Sequence, residues 1–145
     1  MPTSSDLTPS RARLEQTVTN YQSALNARDP ERIAALFAPD ATRVDPYGTP
    51  PVIGRSAIRA AWEEIFTNLG SIAFTAHAAH GARDTIAFEF TSVTTTSNGV
   101  GSVLKGIDVV TVNSQGLITS LVAYYDDADS RPADLVLRRR RQSAR

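Results

Sequence analysis

Residues 91–112 read "TSVTTTSNGVGSVLKGIDVVTV". Both halves are rich in β-branched residues, the kind that suit a pleated, half-buried surface. Between them lies Asn98-Gly99, the dipeptide that most strongly signals a tight antiparallel hairpin. Working outward, the period stays at two. It predicts four strands at about 71–80, 84–96, 101–112 and 117–127, separated by the turn-forming runs 81–84 (GARD), 97–99 (SNG) and 113–116 (NSQG).

Before Gly70 the period is helical. Thr8-Pro9 offers a cap and a first-turn proline, and Leu14, Val18, Tyr21 and Leu25 then share one face. Asp29-Pro30 opens a short helix in which Ile33, Leu36 and Phe37 fall on one side. Residues 41–46 read as extended, since Pro46 steers Asp45 away from helical angles. Gly48 and Pro50-Pro51 make a loop. Ser56 then caps a third helix bearing Ile58, Trp62, Ile65 and Phe66 and ending near Gly70. Three helices followed by a strand meander define an α+β class, a curved sheet wrapped around helices.

The chain has 145 residues, one domain's worth, enough to bury roughly 70% of the unfolded surface. Fifteen basic and fifteen acidic residues cancel, so no global field recruits nucleic acid. The absence of cysteine removes disulfides and thiolate chemistry. The opening MPTSSDLTPS lacks the apolar core of a signal peptide, and no apolar run approaches the about 18 residues of a membrane span. The expectation is a cytoplasmic protein with no membrane insertion. Its organisation reads as a flexible N-terminus (1–8), one domain (9–128) and an arginine-rich, partly disordered tail (129–145) containing Arg138 to Arg141.

Asp108 is the misfit of its strand. Leu104, Gly106, Asp108, Val110 and Val112 share one side; Val103, Lys105, Ile107, Val109 and Thr111 share the other. Both sides are apolar enough to be interior. Facing in, the carboxyl is driven toward its neutral form and becomes a hydrogen-bond donor; facing out, it is a surface aspartate paired with a base. Tyr21 lies on the apolar face of the first helix, so its ring belongs inside and its hydroxyl needs a partner. Asp45 ends an extended segment at a turn, where aspartate before proline also has purely local reasons. His77 and His80 are three apart on a strand, expected on opposite faces and structural. No spacing suits a metal, a phosphate loop or a Ser-His-Asp set.

Residues 21–48, "YQSALNARDPERIAALFAPDATRVDPYG", and 53–62, "IGRSAIRAAW", resemble the bacterial ketosteroid isomerases of the NTF2-like, or SnoaL-like, superfamily. The likeness runs from about residue 10 to residue 127. Tyr21 falls in Y-x-x-A-L-N-A-x-D, Asp45 in D-A-T-x-x-D-P-x-G, and Asp108 in x-I-D-x-x on the third long strand. The resemblance implies an NTF2-like cone, three helices packed in a curved, mostly antiparallel sheet. It also implies a steroid Δ5-isomerase, in which Asp45 moves a proton from the carbon between a ketone and a β,γ double bond to the γ carbon. Tyr21 and a protonated Asp108 would hold the dienolate oxygen; a neutral buried acid is that family's known device, carried over here by likeness. Phe37, Trp62 and Tyr125 would line the steroid cavity, with Phe88 and Phe90 as additions. Phe37 and Trp62 stand where some members have tyrosines, which shortens the hydrogen-bond network. No metal or cofactor is implied, the ligand is small and steroid-like, and a homodimer through the outer sheet face is expected.

The same fold admits other readings: a polyketide cyclase or dehydratase-type enzyme, or a non-catalytic binder of a lipophile. An epoxide hydrolase of this fold wants arginine two residues before the strand aspartate, where this chain has Gly106. A scytalone-type dehydratase would need His77 to face inward.

Overall fold

The first helix begins where a hydroxyl can satisfy its free N–H groups. In the computed structural model, which describes residues 8–133, α1 spans Arg11–Asn26 and is capped by the Ser10 side chain, which accepts from the Arg13 N–H. Thr8-Pro9 therefore precedes the helix instead of opening it. The buried stripe is Leu14, Thr17, Val18, Tyr21, Ala24 and Leu25. The short α2 (Pro30–Ala34) has Asp29 as its cap, as the sequence predicts. Leu36 and Phe37 lie beyond it, and Phe37 already starts strand β1 (Phe37–Val44). β2 (Val52–Ile53) precedes α3 (Arg55–Asn68), which starts at Gly54 instead of Ser56, with no side-chain cap. Gly54 adopts φ +95°, a conformation open to glycine and strained for other residues.

The meander is longer than predicted at its first strand. It comprises β3 (Leu69–Ala82), β4 (Thr85–Thr96), β5 (Gly101–Val112) and β6 (Ile118–Tyr124). A 3-10 turn at Asp127–Asp129 leads to β7 (Ser130–Pro132), which pairs with β5 at Ser102 to Leu104, beyond the reach of β6. The opening of the arginine-rich tail is thus part of the sheet; Arg138 to Arg141 lie outside the described residues. Strand order is β2-β1-β6-β5-β4-β3, antiparallel except for the parallel β1–β6 pair. This is an α+β fold with three helices against a curved, open, mixed sheet.

The core lies between helices and sheet. Leu14, Leu25, Ile33, Phe37, Ile58, Ile86, Phe88, Ile118 and Leu121 are almost wholly enclosed. α1 is tied to the edge strand β3 by side chains that complete its ladder. Asn26 donates to the Phe74 carbonyl (2.9 Å) and accepts from the Phe74 N–H (2.7 Å), and Gln22 accepts from the Ala76 N–H (2.7 Å). These contacts fix the rotation of the helix that carries Tyr21. Among the described residues no helix is long and apolar enough to cross a membrane.

Candidate active site

The sheet register puts both acids in one row. Asp108 pairs with Ala123 on one side and Phe88 on the other. Val44 pairs with Val122, so Asp45 follows one step on, beside Ala123, and the Tyr47 N–H bonds the Ala123 carbonyl at 2.7 Å. Two strand spacings separate Asp45 from Asp108, about 10 Å of backbone, which two inward side chains and a ligand oxygen can bridge. The adjacent row carries Arg43, Leu121, Val110 and Ile86. Alternation along β1 gives Arg43 and Asp45 the same face, and the Arg43 guanidinium meets the Asp45 Oδ2 at 2.8 Å. The other oxygen, Oδ1, accepts a short hydrogen bond from the Tyr125 hydroxyl.

The two acids are treated differently. Asp108 is 3% exposed, and its pKa is pushed up to about 8. Burial is the main cause; the Asp45 charge adds to it and the Arg43 charge opposes it. At neutral pH its carboxyl therefore keeps its proton. Tyr21, 3% exposed, is raised well above the ordinary tyrosine range by burial and then by the charge of Asp108. Tyr125 is raised too, by burial and then by Asp45. Tyr21 and Asp108 are thus neutral O–H donors at pH 7. Among the described residues neither oxygen group has a protein hydrogen-bond partner, so both are free to donate to a ligand.

The guanidinium of Arg43 lies over the Trp62 ring, 4.8 Å from its centroid. Arg43 Nε and Trp62 Nε1 are enclosed without hydrogen-bond partners. Each such group costs about 1–3 kcal/mol, so the pairing is held against a penalty. Aromatic rings pack around the cluster. Phe74 meets Tyr21 edge-on at 5.7 Å and stacks on Phe90 at 5.3 Å, and Phe90 meets Tyr125 edge-on at 6.2 Å.

Tyr21, Asp45 and Asp108 are therefore brought to one electrostatically coupled cluster. Trp62 and Tyr125 touch its charged groups, and Phe88 is the cross-strand neighbour of Asp108. Phe37, fully buried, belongs to the core that backs it. Two participants escaped the sequence reading. Arg43 was signalled by its spacing of two from Asp45; Phe74 had only its place on an alternating strand. The histidines depart from expectation. A bulge between Ala76 and Ala79 breaks the alternation of β3, and His77 and His80 both border hollows on the outer face, alongside Glu89 and Ile107. His77 bonds Thr91 there at 2.8 Å. Gly106 is required by packing: a Cβ would come within 2.8 Å of the Phe90 ring and of the Tyr124 carbonyl. No arginine fits two residues before Asp108; the site's arginine comes from β1 instead.

Three helices against a curved, open, mixed sheet of this topology are the architecture of NTF2-like domains, and the SnoaL-like domain family matches residues 18–121. The chain belongs to that family. Within it, the steroid Delta-isomerase of Nocardioides simplex is 37% identical over 123 residues, covering 81% of this chain and 94% of the relative. Among solved structures, the epoxide hydrolase/cyclase-like enzyme SalBIII superposes with a TM-score of 0.77 at 22% identity, covering 85% of this chain and 97% of that one. Rv0760c of Mycobacterium tuberculosis, in complex with estradiol-17beta-hemisuccinate, superposes with a TM-score of 0.74 at 22% identity, covering 82% and 98%. These two likenesses speak for the fold.

Proposed function

We propose that the protein is a steroid Δ5-3-ketosteroid isomerase. The observation that carries this reading is the contrast inside one cluster: Asp108 neutral through burial, Asp45 ion-paired and accepting hydrogen bonds at both oxygens. The 37% identity to a steroid Delta-isomerase supports it. Asp45 takes the proton from the carbon between the ketone and the β,γ double bond. The C–H electrons move onto the carbonyl oxygen, giving a dienolate whose oxygen accepts from Tyr21 and Asp108. Asp45 returns the proton at the γ carbon, leaving the conjugated enone. A carboxylate is too weak a base for this alone; the step needs preorganised donors in a dry site, each worth about 2.7–4 kcal/mol. A homodimer through the outer face accompanies the reading, supported by the exposed Ile107 and by Tyr124 stacked on Tyr47; a monomer on sedimentation would remove it.

The test is incubation with 5-androstene-3,17-dione while following the ultraviolet band of the conjugated enone. Turnover is expected, with Tyr21→Phe slower by about 10²–10³-fold. Activity should fall as pH rises past about 8, where Asp108 loses its proton. Tight steroid binding without enone formation would make the protein a carrier and end the isomerase reading.

A further inference from the structure

Arg43 is a charged side chain, 8% exposed, on an inner sheet face. It is fixed on three sides: by the backbone row of β1 and β6, by the Trp62 ring at 4.8 Å, and by the Asp45 Oδ2 at 2.8 Å. Its Nε has no partner, so its position is set by Asp45 and Trp62 and not by a full set of hydrogen bonds. With Tyr125 on the other oxygen, Asp45 is gripped by donors from two neighbouring chain segments. Each carboxylate oxygen keeps a second lone pair, so the grip leaves room for an incoming proton.

We infer that Arg43 is a positioning residue for Asp45, fixing the plane of the carboxylate and supplying the counter-charge as negative charge passes from Asp45 to the substrate oxygen. This rests on the isomerase reading. In the resting site the carboxylate and guanidinium cancel. When the substrate C–H bond breaks and the O–H bond forms on Asp45, the electron pair settles on the carbonyl oxygen, and Arg43 then balances the dienolate. Reprotonation at the γ carbon restores the first arrangement. The Asp45, Arg43 and substrate charges sum to zero at every stage. A pocket without Arg43 would carry an uncompensated negative charge throughout, in surroundings where such a charge is costly. The effect falls on proton transfer, since Arg43 contacts Asp45 directly and meets the substrate only as a counter-charge once the dienolate forms.

The experiment compares wild type, Arg43→Met and Arg43→Lys on 5-androstene-3,17-dione, with binding of the steroid phenol estradiol as a second readout. Arg43→Met is expected to lose about 10–100-fold in kcat with KM changed less than about twofold, the size of a misplaced reacting group. Arg43→Lys should recover part of it, because a point charge replaces the counter-charge but not the planar stack. The pH at which estradiol affinity falls should move upward in Arg43→Met, because Arg43 is the group that holds Asp108 down; Glu89 and Lys105, on the outer face of the same strands, are unchanged between variants. If Arg43→Met does not fold, Arg43→Lys carries the test alone, with a lower kcat and an unchanged KM. Wild-type turnover combined with unaltered kcat in the variants, or a raised KM at constant kcat, overturns the role of Arg43 only. No turnover by wild type removes the isomerase reading, and this inference with it.

Discussion

Asp45 and Asp108 lie in one row of one sheet, yet the fold gives them opposite surroundings. Asp108 is mid-strand, between β4 and β6, where backbone N–H groups are spent on the ladder and none is left to stabilise a carboxylate. Phe88 and Ala123 flank it, and the carboxyl stays neutral. Asp45 stands just past the end of β1, where the chain turns and its side chain is 16% exposed. There a guanidinium two residues back and a phenol following β6 both reach it. Position along a strand therefore decides whether the same residue type is buried and neutral or ion-paired at a turn, the contrast on which the proposed donor and base roles rest.

The largest effect should come from breaking the base end. Asp45→Asn keeps an acceptor for Tyr125 but has no charge for Arg43 and no basic oxygen. Turnover of 5-androstene-3,17-dione should drop by about 10²–10⁴-fold, the usual contribution of a positioned general base. Circular dichroism checks that the variant is folded, because the orphaned guanidinium also lowers stability. Near-wild-type turnover in a folded variant would mean that the two acids do not differ in role.

The acid end can be probed through stability. Asp108 has a folded pKa of about 8 against an ordinary value of 3.8. Between those limits the native state holds a proton that the unfolded chain releases. The contribution to stability is complete below about pH 4, falls as pH rises through the window, and is fully lost above about 8. Asp108→Asn cannot ionise, so urea unfolding should show it more stable than wild type at pH 7, on the order of several kcal/mol, with the difference shrinking toward pH 4. Parallel pH dependences for the two proteins would show that burial does not hold Asp108 neutral, and the contrast with Asp45 would go.

Some of this was legible in the sequence for physical reasons that can be named. The 4-3-4 spacing of Leu14, Val18, Tyr21 and Leu25 puts the Tyr21 ring inside because a helix has only one face to bury. The hairpin at Asn98-Gly99 follows from its backbone freedom; Gly99 takes φ +82°. Asp108 was visible as a misfit, but its direction was not. Both sides of β5 are apolar, and only the fold leaves Ile107 at 43% exposure while Asp108 is enclosed. Alternation along "TRVDP" puts Arg43 on the face of Asp45, but only the fold shows that this face is buried against Trp62. The β3 bulge is not readable: nothing local in "AHAAH" announces an extra residue, and strict alternation puts the two histidines on opposite faces where the bulge brings both to the outer one.

The gentlest test loosens the acid end while leaving the base end untouched. Asn26 lies five residues after Tyr21 on α1 and makes two hydrogen bonds to the Phe74 backbone. Phe74 in turn packs edge-on against the Tyr21 ring. Asn26→Ala removes both bonds from an edge strand whose freed groups can recruit water, so the expected cost is about 1–2 kcal/mol, read as a lower urea midpoint with an unchanged slope. Asp45, Arg43 and Tyr125 sit on other segments and keep their contacts. Of the polar groups of the site only Tyr21 packs directly on Phe74, so estradiol binding and kcat should each weaken a few-fold while the pH at which binding is lost stays where Asp108 sets it. A midpoint that falls with binding and kcat unchanged would make the Asn26 bonds plain stitching. The placement of Tyr21 would then rest on ring packing alone.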